Sequence, residues 1–168
     1  MIRKISLTIA LLCSCSGAIA QGYLGLGIGS VDYDLTGYSN ATGFELIGGT
    51  EINRNLSFEF SYVDTGEADG TPSIVHLSGD AITAGALIRA KAGQTADVFF
   101  KLGMFSWNID LTQDGVGTIF TDSGTDVFYG FGVMIKTGDK IRIGARYNIY
   151  NTDDLDISAL SINAQLDF

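Results

Sequence analysis

Cysteine occurs only as Cys13 and Cys15, proline only as Pro72 and histidine only as His76 in this 168-residue sequence. Both cysteines fall in an N-terminal stretch that reads as a leader, so no disulfide framework staples the rest. Charge is scarce too: 17% of residues are charged, against about 25% in an ordinary soluble domain. The hydrophobic share of 46% is unremarkable, so no enlarged apolar core explains that scarcity. The 10 Lys and Arg are outnumbered by 19 Asp and Glu, giving a net charge of −9 and excluding the basic footprint of a nucleic-acid binder. No apolar run after the leader reaches the roughly 18 residues of a spanning helix. What the sequence does have is glycine, 22 residues, and aromatics at 11%.

The leader itself is short. Arg3 and Lys4 precede an apolar stretch from Ile5 to Leu12, and Ala18-Ile19-Ala20 fits the A-x-A cleavage pattern before Gln21. Residues 1–20 are therefore expected to be a cleavable signal peptide, with Ala18, Ala20 and Gln21 marking the cut. Residues 21–168 are expected to form one exported domain.

From Gln21 onward the chain alternates with period two, the signature of strands with unlike faces. Leu24, Leu26 and Ile28 oppose Tyr23, Gly25, Gly27 and Gly29; Phe44, Leu46 and Ile52 oppose Glu45 and Glu51. Leu56, Phe58, Phe60 and Tyr62 oppose Ser57, Glu59 and Ser61. Ile82, Ala84, Ala86 and Ile88 oppose Thr83, Gly85, Leu87 and Arg89, where Leu87 breaks an otherwise polar face. Val98, Phe100, Leu102 and Met104 oppose Lys101 and Gly103, but Phe105 and Trp107 then share the Lys101 side. Either the interior narrows there or a bulge changes the parity. Three more strands follow, with Gly130, Gly132 and Met134, then Arg142, Gly144 and Arg146, then Asn163, Gln165 and Asp167 on their less apolar faces.

An even number of strands suits a closed antiparallel sheet, and the polar face decides which way it closes. Glu45, Glu51, Glu59, Arg89, Lys101, Arg142 and Arg146 share it with glycines and small polar residues. Glycine has little use on a solvated exterior, whereas in a narrow lumen it makes room for long side chains from neighbouring strands. The opposite face is apolar and aromatic, as lipid contact demands. Connections near 53–55, 92–96 and 137–140 are short, and those near 31–42, 64–80, 110–125 and 151–157 are long. That alternation of turns and loops belongs to outer-membrane barrels. The expected fold is all-β: an eight-stranded antiparallel up-and-down transmembrane barrel.

GYLGLGIG, INRNLSFEFSYVDTG, FFKLGMFSWNID, DSGTDVFYGFGVMI, IRIGARYNIYN and LSINAQLDF occur in that order. The ordered set resembles the small OmpA-like, porin-related family of eight-stranded outer-membrane barrels over essentially all of residues 21–168. The resemblance implies an outer-membrane location, contact with lipid and lipopolysaccharide, and a monomer. It also implies that Phe168 ends an assembly signal read by the barrel-assembly machinery. The chain stops at its eighth strand, so the peptidoglycan-binding role of longer members is not carried over. In the family an interior network of acids and bases blocks or gates the lumen, and Glu59, Arg89 and Lys101 match its positions. Arg146 stands where the family can carry an acid, and Met134 where an acid is frequent.

Three functions follow as expectations. The leading one is a structural or surface-interaction role, with the ion network filling the lumen and acidic loops meeting an external ligand. Asp32, Asp34, Asp64, Glu67, Asp69, Asp80, Asp110, Asp114, Asp122, Asp126, Asp153, Asp154 and Asp156 lie in or beside the long loops, which contain no Lys or Arg. They form either a solvated, self-repelling rim or a cation-bridged contact with lipopolysaccharide phosphates. The second is a narrow channel gated by the Glu/Arg/Lys network, although an eight-stranded lumen is just filled by side chains. The third is a lipid-modifying hydrolase, since His76, Ser78 and Asp80 share one strand face. That face is the outward one, so no enzyme is expected. No cofactor or metal is required, as Asp153-Asp154-Leu155-Asp156 lacks the Gly and terminal Glu of a calcium loop.

Overall fold

The computed structural model describes residues 21–71, 74–152 and 155–168. The expected leader, with Ala18 and Ala20, lies outside them, as do Asp153 and Asp154. Eight strands run β1 (Gln21–Asp32), β2 (Ala41–Glu51), β3 (Leu56–Asp69), β4 (Val75–Lys91), β5 (Ala96–Gln113), β6 (Gly117–Lys136), β7 (Ile141–Asn151) and β8 (Asp156–Asp167). Each pairs antiparallel with its neighbours in sequence, and β1 pairs with β8 from Tyr23↔Asp167 to Asp32↔Ser158, closing the barrel.

The alternation sorts the side chains. Leu24, Leu26, Ile28, Phe58, Phe60, Ile82, Ile88, Phe100, Phe131, Ile143 and Ile162 point outward and stay exposed. Glu59, Lys101, Arg146, Asn148 and Asn163 point inward and are buried. A soluble protein does the reverse; an apolar exterior around a charged interior is stable only with hydrocarbon outside.

The interior is filled by a repeated cross-strand device. Tyr23 faces Gly49, Phe99 faces Gly132, Phe128 faces Gly103 and Trp107 faces Gly124 in register. A Cβ at Gly103 or Gly132 would come within 2.6 Å of the Phe128 or Phe99 ring. Each ring lies over the bare backbone of the opposite strand, pinning register while filling volume. The parity on β5 is unbroken: Phe105, Trp107 and Ile109 remain inward and the only β5–β6 register shift falls at Leu111/Thr112. No bulge accounts for the aromatics on the Lys101 side; they belong to an apolar cluster inside the barrel. Leu87 is likewise interior, clustered with Phe99 and Met134.

Two of the expected long loops are mostly strand. The β3–β4 hairpin stays paired to Asp69↔His76, and β5–β6 to Gln113↔Gly117. In the upper part of β6 both faces meet water, so Thr118, Ile119, Thr121 and Thr125 form strand without the two-faced pattern that marks the barrel below.

Candidate functional site

Two regions carry unusual chemistry: the charged lumen and the extracellular rim. In the lumen, every base named from the sequence faces an acid. Glu59 is fully buried and takes Lys101 Nζ at 2.7 Å, Arg146 Nη1 at 2.8 Å and the Tyr23 hydroxyl at 3.1 Å. Glu45 lies 3.5 Å from Arg146 Nη1 and 3.8 Å from Lys101 Nζ. Nearer the periplasmic ends of the strands, Glu51 pairs with Arg89 and with Arg142, the latter at 2.9 Å. Arg142 Nε donates to Asp167 at 3.0 Å.

Tyr23 joins the two layers. The Arg89 and Arg142 guanidinium carbons lie 5.3 and 5.2 Å from its ring centroid, while its hydroxyl reaches up to Glu59. Lys101 lies 4.9 Å from the Phe128 ring centroid and Arg146 lies 5.5 Å from that of Phe99. Glu45, Glu51, Glu59 and Asp167 balance Arg89, Lys101, Arg142 and Arg146, so this network is neutral as a whole. Asp167 and Tyr23 were not among the residues singled out from the sequence. Their signal was their place on the polar faces of β8 and β1, but a single Asp before the C-terminus or a single Tyr among glycines does not announce its partner.

Above this network the lumen turns apolar. Phe105, Phe128 and Tyr150 pack together, with Phe105–Tyr150 centroids 5.1 Å apart and Phe128–Tyr150 5.4 Å apart. Val31, Val63, Leu77, Trp107 and Ile109 extend this cluster toward the rim. Trp107 Nε1 donates to Asp126 at 2.7 Å and Tyr33 shares a 2.5 Å hydrogen bond with Thr65. Two small cavities, one beside Glu45 and Asn148 and one beneath Trp107, have volumes of about 20 Å³ each. That is room for about one water in each.

The rim is lopsided. β6 pairs with β7 only as far as Phe128↔Tyr150, so among the described residues its segment from Gly117 to Val127 pairs with β5 alone. The other tall edge, β3, is capped: Ser39 N donates to Asp69 O at 2.9 Å, and Tyr38 bridges to Gly70. Val116, Ile119 and Phe120 are exposed along the uncapped side, among the acids Asp114 and Asp122.

His76, Ser78 and Asp80 project from the outward face at this level. Among the described residues, His76 Nδ1 meets Asp69 at 2.7 Å rather than Ser78, whose register partners are Glu67 and Asp110. No serine-activating hydrogen bond forms here. Asp156 binds Asn151 Nδ2 at 2.9 Å.

Known barrels share this architecture. Neisserial surface protein A matches with a TM-score of 0.65 at 16% identity, covering 89% of this chain and 97% of its own. The N-terminal β-barrel domain of Pseudomonas aeruginosa OprF gives 0.65 at 12% identity, covering 89% and 99%. Ail of Yersinia pestis, solved with the heparin analogue sucrose octasulfate, gives 0.60 at 19% identity, covering 89% and 97%. At such identities the likeness is one of fold. A search among curated proteins returns no sequence match. The family model is decisive: over residues 6–168 the sequence matches the outer membrane protein beta-barrel domain. The chain belongs to that family, and is an integral barrel of the outer membrane.

Proposed function

We propose that the barrel is a sealed scaffold whose working part is the extracellular β3–β6 extension, and that it engages an extended, cationic segment of another macromolecule. The edge of β6 from Gly117 to Val127, free among the described residues, carries this reading. An unpaired edge offers a row of backbone donors and acceptors to an incoming strand, and stable proteins usually cover or blunt such edges. The loops around it are acidic and lack Lys and Arg, which favours basic side chains on the incoming strand. The exposed Val116, Ile119 and Phe120 add apolar anchors. The polyanion bound to Ail has the opposite charge from what this rim would attract.

The remaining partners follow from the same surfaces. The apolar belt meets membrane lipid, and rim acids away from His76, such as Asp32, Asp34 and Asp122, reach lipopolysaccharide phosphates through divalent cations. Phe168, exposed and outward with its N–H on Gly22 O at 2.9 Å, serves the barrel-assembly machinery. The protein acts as a monomer without cofactor or catalysis. The lumen network supports the scaffold instead of gating it, because the aromatic cluster sits across its extracellular end.

The test compares wild-type barrel in lipid nanodiscs with a variant whose β5–β6 hairpin is shortened above Trp107 and Gly124. An immobilised extended Lys/Val peptide is expected to retain the wild type and lose the variant, with an Asp/Val peptide retaining neither. Equal retention of both proteins by the cationic peptide would reject the extension as the binding element.

A further inference from the structure

Above the belt, His76 is the sole basic side chain among the described residues, and carboxylates from two other segments converge on it. Nδ1 lies 2.7 Å from Asp69 Oδ1 and 3.5 Å from Glu67 Oε1, both at the upper end of β3. On the opposite side of the ring, Nε2 lies 3.4 Å from Asp114 Oδ1, in the turn between β5 and β6. From β5 itself, Thr112 Oγ1 donates to His76 O at 3.4 Å, and the nearest β5 acid, Asp110, pairs in register with Ser78.

A neutral imidazole has one N–H and one lone pair, so it satisfies only one of two opposed carboxylates. With acids facing both nitrogens, only the doubly protonated ring fits. The turn it reaches also donates from Asp114 N to Ile74 O at 2.9 Å, just beyond the Val75↔Gln113 end of the β4–β5 ladder.

We propose that His76 is a proton-operated latch that, when charged, holds the β5–β6 turn against the upper end of the β3–β4 hairpin, and that releases it when the proton leaves. Without that proton, Glu67, Asp69 and Asp114 face one another with no cation between them, and repulsion loosens the turn that carries Val116. The latch concerns the shape of the extension and holds whatever the extension binds.

The hydrogen bond to Asp69, aided by Glu67 and Asp114, raises the His76 pKa above its ordinary value of 6.5 despite some desolvation. A raised folded-state value fixes the sign: the latch is fully closed below about 6.5 and opens as pH climbs through the raised value.

The experiment is NMR on the full barrel in nanodiscs, following the His76 ring and the Asp114 amide across pH. In wild type, His76 is expected to titrate above the ordinary histidine range. Asp114 exchange protection, corrected for intrinsic rate, should be lost over that same interval. Asp69→Asn with Asp114→Asn should return the titration toward the ordinary range. His76→Gln should leave Asp114 unprotected at every pH, while barrel-strand amides stay protected and prove the fold intact. An ordinary or lowered His76 titration, or Asp114 protection indifferent to pH, would overturn the latch. So would a wild-type titration displaced by adding EDTA, which would replace the proton with a metal ion.

Discussion

At the residue scale, Glu59 is the keystone of the lumen, because Lys101 and Arg146 both spend their strongest contact on it. Replacing it with Ala leaves two buried cations facing each other, and removing one partner of a buried ion pair costs about 3–5 kcal/mol. Glu59→Ala is therefore expected to lower the urea midpoint of the barrel in micelles by an amount in that range. Tyr23→Phe removes one hydrogen bond to the charged Glu59 and should cost less, about 1.5–3 kcal/mol by the same measurement. A smaller loss in Glu59→Ala than in Tyr23→Phe would mean that the cations find other partners. The seven charged residues picked out by alternation all occur on the inner side, since period two fixes the side of each residue. Their pairing was not legible: Glu51 with Arg142 depends on which strands face each other across the closed lumen, and alternation along one strand says nothing about that.

At the element scale, the aromatic–glycine pairs hold register. Gly49 is the sharpest example, because its missing Cβ leaves the space that the Tyr23 ring fills. Gly49→Val would push that ring from between the two ionic layers, and overpacking of this kind costs about 1–3 kcal/mol. The expected outcome is a lower fraction of heat-modifiable, folded barrel on refolding, with Tyr23→Ala in the same chain recovering part of it. If the single variant refolds as wild type, the pair does not set register. The glycines were visible in the sequence as lumen residues, but the ring opposite each was not, because register is a property of two strands. The extension above the belt was the least legible part. Strands wet on both faces lose the alternation that identifies them, so Gly117 to Thr125 reads as loop and its edge has no signal in the sequence.

At the scale of the whole molecule, charge is sorted along the barrel axis. Arg54, Lys91, Lys136 and Lys140 sit at or beside the periplasmic turns, the balanced pairs occupy the lumen, and the unbalanced acids crown the far end. The scarcity of charge in the composition is the lipid-facing belt. Binding of a cationic segment at the crown should weaken steeply with salt, because exposed charges are screened within about 8 Å at physiological ionic strength. Retention that is unchanged between low and high salt would mean the apolar tip, not the acids, makes the contact. The account as a whole places function outside the barrel and gives the lumen a supporting role. Single-channel recording of the wild-type protein in a planar bilayer tests that most directly. The account predicts a silent membrane at neutral pH, and sustained unitary currents would contradict it.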